Sequence, residues 1–218
     1  MLKRNFHMQI KVRRGLLRLI SILATAILIT ACSSMAPNIE PTGRQLDSYQ
    51  QQAAKLSQLQ EWHVEGKIAL NMNNKNNQGN LIWQQKQDSF DLLITGPLGQ
   101  GYLHIESYPG LVIATTAEEQ IQANSIEELF AQHFDWSLPM QELHYWVRGI
   151  SSPSTQAQMT FFDNGDVDII KQAGWDIDYD RFVEVDGFSL PYKLTITGSD
   201  IRVKLVLKKW TELGSLPN

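Results

Sequence analysis

Trp62-His63-Val64-Glu65-Gly66-Lys67-Ile68-Ala69-Leu70-Asn71-Met72 alternates between two kinds of residue. Trp62, Val64, Ile68, Leu70 and Met72 fall on one side of an extended chain. His63, Glu65, Lys67 and Asn71 fall on the other. A period of two with one apolar side marks a β-strand buried on one face. Polar Asn73 to Asn80 reads as the turn that follows, and Leu81–Lys86 and Phe90–Thr95 read as the next strands. Tyr102–Glu106, Leu111–Thr115 and Gln120–Ala123 continue the series.

The alternation returns late in the chain. It is carried by Val167 and Ile169, by Trp175, Ile177 and Tyr179, by Tyr192, Leu194 and Ile196, and by Ile201, Val203, Leu205 and Leu207. Asn164-Gly165 and Asp186-Gly187 sit between such runs, where a tight hairpin needs residues that tolerate positive φ. About ten strands in sequential hairpins predict an antiparallel sheet with one dry face.

Three helices interrupt or precede these strands. From Gly43 to Gln60 the apolar residues Leu46, Tyr49, Ala53, Leu56 and Leu59 recur on one helical face, and Thr42 with Gln45 forms a capping-box pattern. Ser125 and Glu128 form a second such pattern opening Ile126–Phe134. Pro139 suits a first helical position, and Gly149 suits the stop after Leu143, Trp146 and Val147. The architecture expected is one curved sheet, apolar face inward, covered by three helices.

The N-terminus has a different composition. Lys3, Arg4, Lys11, Arg13, Arg14 and Arg18 precede an apolar run from Leu19 to Ile29, and Ile29-Thr30-Ala31-Cys32 closes it. Charge, apolar stretch and small-residue site in that order form a cleaved export signal. The aliphatic-small-small-Cys ending is that of a lipoprotein signal, with Cys32 as the acylated first mature residue. Met1 and Met8 would each leave a working signal. The organisation expected is a signal over residues 1–31, a lipidated Pro-containing tether over 32–42 and one domain over 43–213.

Cys32 is the only cysteine, so an acylated Cys32 leaves no disulfide and the core alone must hold the domain. Removing residues 1–31 takes six of the 19 basic residues and none of the 23 acidic ones, which leaves a mature balance of −10. Such an acidic domain is not expected to bind nucleic acid, where affinity comes from neutralising phosphates. Nor is it drawn by charge to anionic lipid, so membrane attachment falls to acyl chains and apolar contacts.

Catalytic patterns are lacking. The chain has no GxSxG elbow, no P-loop, no dinucleotide fingerprint and no HExxH or paired Cys/His spacing, so neither an enzyme, a cofactor nor a metal is expected. Asp176 and Asp178 share a strand face opposite Trp175 and Ile177, which reads as a solvated face. His144 reads as a packed or surface histidine. The ten strands supply more apolar surface than three modest helices can cover. A curled sheet can enclose a ligand cavity with that surplus, and a fully packed core is the other solution. One loop is unusual: Gly96-Pro97-Leu98-Gly99 joins two strands, and Pro and Gly are turn formers, but Leu98 stands where a hairpin is most solvated unless it folds back onto the core.

In order and spacing the chain resembles the LolB family, outer-membrane receptors of the bacterial lipoprotein-localisation pathway. The matching pieces are Trp62 with Gly66, Ile68 and Ala69; Leu81-x-Trp83-Gln84; Pro97-Leu98-Gly99; Leu138-Pro139; and Leu143-x-x-Trp146-x-x-Gly149. Further on come Gln172-x-Gly174-Trp175-x-Ile177-x-Tyr179, Leu190-Pro191, and Lys204-Leu205 running to Trp210. No single piece is specific, but together with the Cys32 signal they span nearly the whole mature chain.

The resemblance implies a mainly β fold, an incomplete antiparallel β-barrel with helices over an apolar cavity. It implies a non-enzymatic outer-membrane lipoprotein facing the periplasm. Such a protein takes lipoproteins from the soluble carrier LolA and releases them into the inner leaflet of the outer membrane. It also implies that Pro97, Leu98 and Gly99 form a membrane-insertion loop. Ser33 after Cys32 suits that destination. Trp83, Phe90, Leu92, Ile94, Leu103, Ile105, Ile113 and Trp175 are the candidates for the wall of an acyl cavity. A monomer is expected. The alternative is a structural outer-membrane lipoprotein with a solid core, acting in a larger envelope assembly.

Overall fold

The computed structural model describes residues 41–72, 75–99, 101–133 and 138–214, without the side chain of Leu98. The signal, Cys32 and all of the tether but Pro41 and Thr42 therefore lie outside the described residues. Helix α1 (Gly43–Ser57) opens the domain, followed by strands β1 (Glu61–Met72), β2 (Lys75–Lys86), β3 (Ser89–Thr95), β4 (Tyr102–Tyr108), β5 (Leu111–Thr116) and β6 (Gln120–Ala123). Helices α2 (Ile126–His133) and α3 (Met140–Trp146) come next. Strands β7 (Ala157–Phe161), β8 (Val167–Gln172), β9 (Trp175–Val185), β10 (Phe188–Thr197) and β11 (Ile201–Thr211) follow.

The strands form one 11-stranded sheet in the order β6-β5-β4-β3-β2-β1-β11-β10-β9-β8-β7. Every ladder is antiparallel. Sequential hairpins build each half, and the pairing of β1 with β11 joins the halves. Strands β6 and β7 are the edges and do not pair with each other. The fold is thus an unclosed antiparallel barrel with three helices among the described residues. The inner side chains of the sheet and those of the helices, Tyr49 and Leu56 of α1, Leu129 and Phe130 of α2, Leu143 and Trp146 of α3, form a single core.

Several boundaries differ from the sequence reading. Lys75 to Asn80 are not turn but strand, paired with Lys67 to Met72. Their polar side chains hid this, because apolar content reports burial and not pairing, and this end of the hairpin is exposed. Strand β7 has no counterpart in the expected series, being a five-residue edge strand without a fully buried side chain. Tyr192 does not share the face of Leu194 and Ile196. The ladder slips between Pro191 and Leu194, and the Tyr192 ring instead lies 3.7 Å beneath the exposed Arg181 guanidinium.

The helix ends follow local hydrogen bonding. Thr42 Oγ1 accepts from the Gln45 N–H, and Gln45 Oε1 accepts from the Thr42 N–H, a complete capping box. Helix α1 stops at Ser57 rather than Gln60, as the Gln58 and Leu59 N–H groups turn back to Lys55 and Leu56. At α2 the Ser125 hydroxyl accepts from the Glu128 N–H, while the Glu128 carboxylate reaches Asn124 instead of Ser125. Phe134 lies outside the described residues. Pro139 caps α3 from outside the helix, its carbonyl accepting from Leu143.

Two buried polar side chains hold the helices in place, one to the sheet and one to each other. Gln172 Oε1 accepts from Trp146 Nε1 at 2.9 Å and from the Ser152 N–H at 3.0 Å, and Gln172 Nε2 donates to the carbonyls of Ser152 and Thr155. The Arg148 guanidinium donates to the carbonyls of Leu56, Leu59 and His144, tying the end of α1 to α3. Burial lowers its pKa to about 10, which leaves it charged. A buried polar group left without its bond costs about 1–3 kcal/mol. Gln172→Leu orphans four such groups at once, some of which water can reach after relaxation. It is expected to lower stability by about 2–3 kcal/mol in a urea titration. A loss below about 1 kcal/mol would mean the network carries little weight.

Candidate functional site: an apolar cavity under the sheet

The inner face of β1 to β4 and β11 does not close onto the helices. Between them lies a cavity of about 540 Å³. That falls within the roughly 300–1,000 Å³ typical of small-molecule pockets. Alternation and register place its wall. Trp83 opposes Leu92, which opposes Ile105; Leu81 opposes Ile94, which opposes Leu103. Ile68 and Leu70 of β1 and Val203 and Leu205 of β11 continue the wall across the join between the halves. The roof comes from Phe130 of α2 and from Leu138, Met140 and Leu143 at α3.

One end of the cavity is backed by tryptophan. Trp83 packs against Trp62 with ring centroids 5.0 Å apart, and Trp62 packs against Trp210 at 5.5 Å. The other end is a mouth with two different lips. Asn76, Asn77, Gln78 and Gly79 of β2 form one; Gly96, Pro97, Gly101 and the 42 % exposed Tyr102 form the other. The second lip contains the 3-10 turn Pro97–Gly99. It is closed by backbone bonds from the Gly96 N–H to Gly101 O and from the Gly99 N–H to Gly96 O. Gly99 at φ 75° and Gly101 at φ 71° adopt the left-handed backbone that such a turn needs. The Leu98 side chain lies outside the described atoms. No Asp, Glu, Lys, Arg or His is among the described lining residues.

Of the eight candidate wall residues, Trp83, Leu92, Ile94, Leu103 and Ile105 come together in this cavity, and Phe90, Ile113 and Trp175 do not. Phe90 packs on Trp83 at 6.2 Å and borders a separate shallow pocket near Tyr108. Ile113 sits on the outer face, opposite Glu106 and Gln122, while Val112 and Ala114 point in. The unbroken apolar run Leu111-Val112-Ile113-Ala114 gave no alternation to choose between the faces. Trp175 lies in the β7–β11 half, 6.3 Å from Trp146, and its ring covers Gly198, where an added Cβ would meet it at 2.8 Å. Gly198 lies in the turn between β10 and β11, where the ring shields a backbone that has no side chain of its own. Ile68, Leu70, Val203 and Leu205 also line the cavity; alternation places them on buried strand faces but does not separate cavity wall from packed core.

Among the described residues the carboxylates, histidines, lysines and arginines stand away from the cavity. Asp91, His104 and Glu106 gather on the outer face because β3 pairs with β4, with ligand atoms within 4.8 Å of one another. His104 Nε2 is 3.0 Å from Asp91 Oδ2, an ordinary half-exposed ion-pair geometry. Asp176 lies on the exposed face, 3.0 Å from Lys171 Nζ. His144 stacks on Tyr145 at 4.0 Å. Burial, and secondarily the Arg148 charge, lowers its pKa from 6.5 to about 4. Between those values the unfolded chain takes up a proton that the folded chain refuses. Stability is therefore complete above pH 6.5 and falls as pH drops towards 4. From pH 7 to pH 4.5 the His144 share is expected to be on the order of 2 kcal/mol. His144→Gln should flatten that part of the pH profile in urea titrations; an unchanged slope would show that His144 does not cause it.

The sequence matches the family model "Outer membrane lipoprotein LolB" over residues 60–210. An outer-membrane lipoprotein LolB of Chromohalobacter salexigens is 32% identical over 192 residues, covering 88% of this chain and 89% of that protein. The LolB of Pseudomonas syringae pv. syringae is 30% identical over 196 residues, covering 89% and 96%. Among solved structures, a LolA superfamily protein from Nitrosomonas europaea superposes with a TM-score of 0.49 at 11% identity, covering 78% of this chain and 94% of that one.

Proposed function

We propose, from the premise that this chain belongs to the LolB family of outer-membrane lipoproteins, that its cavity holds the acyl chains of lipoproteins in transit. In this reading Cys32 is acylated and anchors the protein to the periplasmic side of the outer membrane. The carrier LolA delivers a lipoprotein, the acyl chains enter between sheet and helices, and the lip at Pro97–Gly99 passes them to the inner leaflet. Binding and transfer, rather than bond making, are the activity.

The observation that supports this most is the cavity itself: about 540 Å³ of space whose described lining is uncharged and mostly apolar, opening beside an uncharged loop. Each methylene kept from water is worth about 0.8 kcal/mol, so acyl chains need such a space to cross an aqueous compartment. Without an energy source the transfer runs downhill, from carrier to a tighter acyl site and then to the bilayer. The cavity also weighs against the solid-core alternative. Anchoring and transfer separate in this scheme: Cys32 holds the membrane, and the described lining residues hold the acyl chains.

The test mixes cargo-loaded carrier with the mature chain, residues 32–218, carrying Cys32→Ala. The expected result is movement of cargo onto this chain and saturable displacement of it by a fluorescent fatty acyl amide. Cargo that stays on the carrier, with no saturable acyl binding by this chain, would overturn the reading.

A further inference from the structure

The two lips of the cavity mouth differ in chemistry, and that difference bears on which lipids the cavity accepts. Asn77 lies on the same face of β2 as Leu81 and Trp83 and opposes Leu70, so it stands at the end of the apolar wall. Asn76 and Gln78 border the same opening. A carboxamide offers both donor and acceptor without charge. The opposite lip is uncharged as well, since residues 95–103 read Thr-Gly-Pro-Leu-Gly-Gln-Gly-Tyr-Leu. Acyl chains seated between sheet and helices would leave their head group beside these amides.

We infer that the Asn76–Gln78 lip is a head-group subsite that selects acyl chains carried on neutral ester and amide linkages and disfavours those carried on an anionic head. This rests on the acyl-carrying reading above and adds a specificity to it. The linkage region of an acylated cysteine is esters, a thioether and amides, which can donate to and accept from carboxamides. A phosphate or free carboxylate brings a full charge to a lip that has no cation among the described lining residues and sits against apolar wall. At this exposed lip an anion keeps its water rather than exchange it for amides alone, whereas a neutral linkage loses little on meeting them. Against a leaflet of phosphate-bearing lipids, a neutral lip would keep the cavity from filling with the membrane's own lipids.

The experiment is displacement of a neutral fluorescent fatty acyl amide from the mature chain carrying Cys32→Ala. Two competitors have matched dipalmitoyl chains: N-acetyl-S-(dipalmitoylglyceryl)-cysteine amide, which is neutral, and dipalmitoyl phosphatidylglycerol, which is anionic. The neutral competitor is expected to bind at least about tenfold more tightly. Asn77→Lys should raise the affinity for the phosphatidylglycerol by about fivefold to tenfold through one added charge at the lip. It should not tighten the neutral competitor, and an unchanged far-ultraviolet circular dichroism spectrum shows that the variant folds. Equal affinities in the parent chain, or a folded Asn77→Lys variant that does not gain phosphatidylglycerol, would overturn the subsite while leaving the acyl cavity intact. Loss of both competitors in the variant would likewise overturn it, by making Asn77 a determinant of acyl binding as such. Failure of the parent chain to bind the reporter would instead overturn the acyl-carrying reading, and the subsite with it.

Discussion

Leu98→Glu is expected to leave the fold and cavity loading unchanged and to slow delivery of cargo into liposomes by about a hundredfold. The fold is spared because the turn at Pro97–Gly99 is held by backbone bonds and by the left-handed glycines at 99 and 101. Delivery suffers twice. Withdrawing a leucine from an apolar phase forfeits about 1.5–3 kcal/mol. A carboxylate in its place must also be kept hydrated or driven into the interface at further cost. On the order of 3 kcal/mol in all is about a hundredfold. The turn adjoins the cavity mouth, and exposed Tyr102 follows it, a residue type suited to the membrane–water boundary. Insertion of this lip would set the mouth against the leaflet, so cargo need not cross water. The measurement follows a labelled lipoprotein from the loaded chain into liposomes. Leu98→Phe should retain delivery. Normal delivery by Leu98→Glu would detach the loop from the transfer step.

Most of this arrangement was legible in residue order, and the illegible parts have physical causes. Alternation reported one-sided burial faithfully where each strand has a wet face, as in β1, β9 and β11, whose inner and outer residues fall where the pattern put them. It was silent where neither face is dry, as in residues 75–80 of β2, and ambiguous where a run is apolar throughout, as at Ile113. It also could not tell cavity wall from packed core. Trp175 and Leu92 have the same local signature, but only the strand order, set by contacts far apart in sequence, puts one under Gly198 and the other beside Trp83. The network around Gln172 was hidden for a related reason. A glutamine in a strand gives no sign that a tryptophan from a helix will share its amide. The polar lip illustrates the converse. The amides of Asn76–Gln78 read as a turn until pairing with β1 carried the wall of the cavity out to them.

Gly66→Ala is expected to be the most damaging single methyl in the domain, lowering stability by about 4 kcal/mol or more. A Cβ at Gly66 would lie 2.2 Å from the Val206 carbonyl oxygen, 3.0 Å from its carbon and 3.1 Å from Leu207 Cα. All three are backbone atoms of β11, so no side chain can rotate away and the strands themselves must part. The close approach arises where the β1–β11 ladder slips a residue between Glu65 and Gly66. That ladder is the only join between the β6–β1 and β11–β7 halves of the sheet among the described residues. Separation there costs hydrogen bonds on both strands and moves Ile68 and Leu70 relative to Val203 and Leu205, four residues of the cavity wall. Variants that still fold should therefore bind the acyl reporter more weakly. Gly43→Ala is the matched control. It adds the same methyl to a helix start with nothing within 4 Å, and should change stability by no more than about 1 kcal/mol, in the stabilising direction. Urea titrations of both variants check the contrast. If Gly66→Ala unfolds within about 1 kcal/mol of the parent chain, β11 can yield at this point and the join is softer than its geometry indicates.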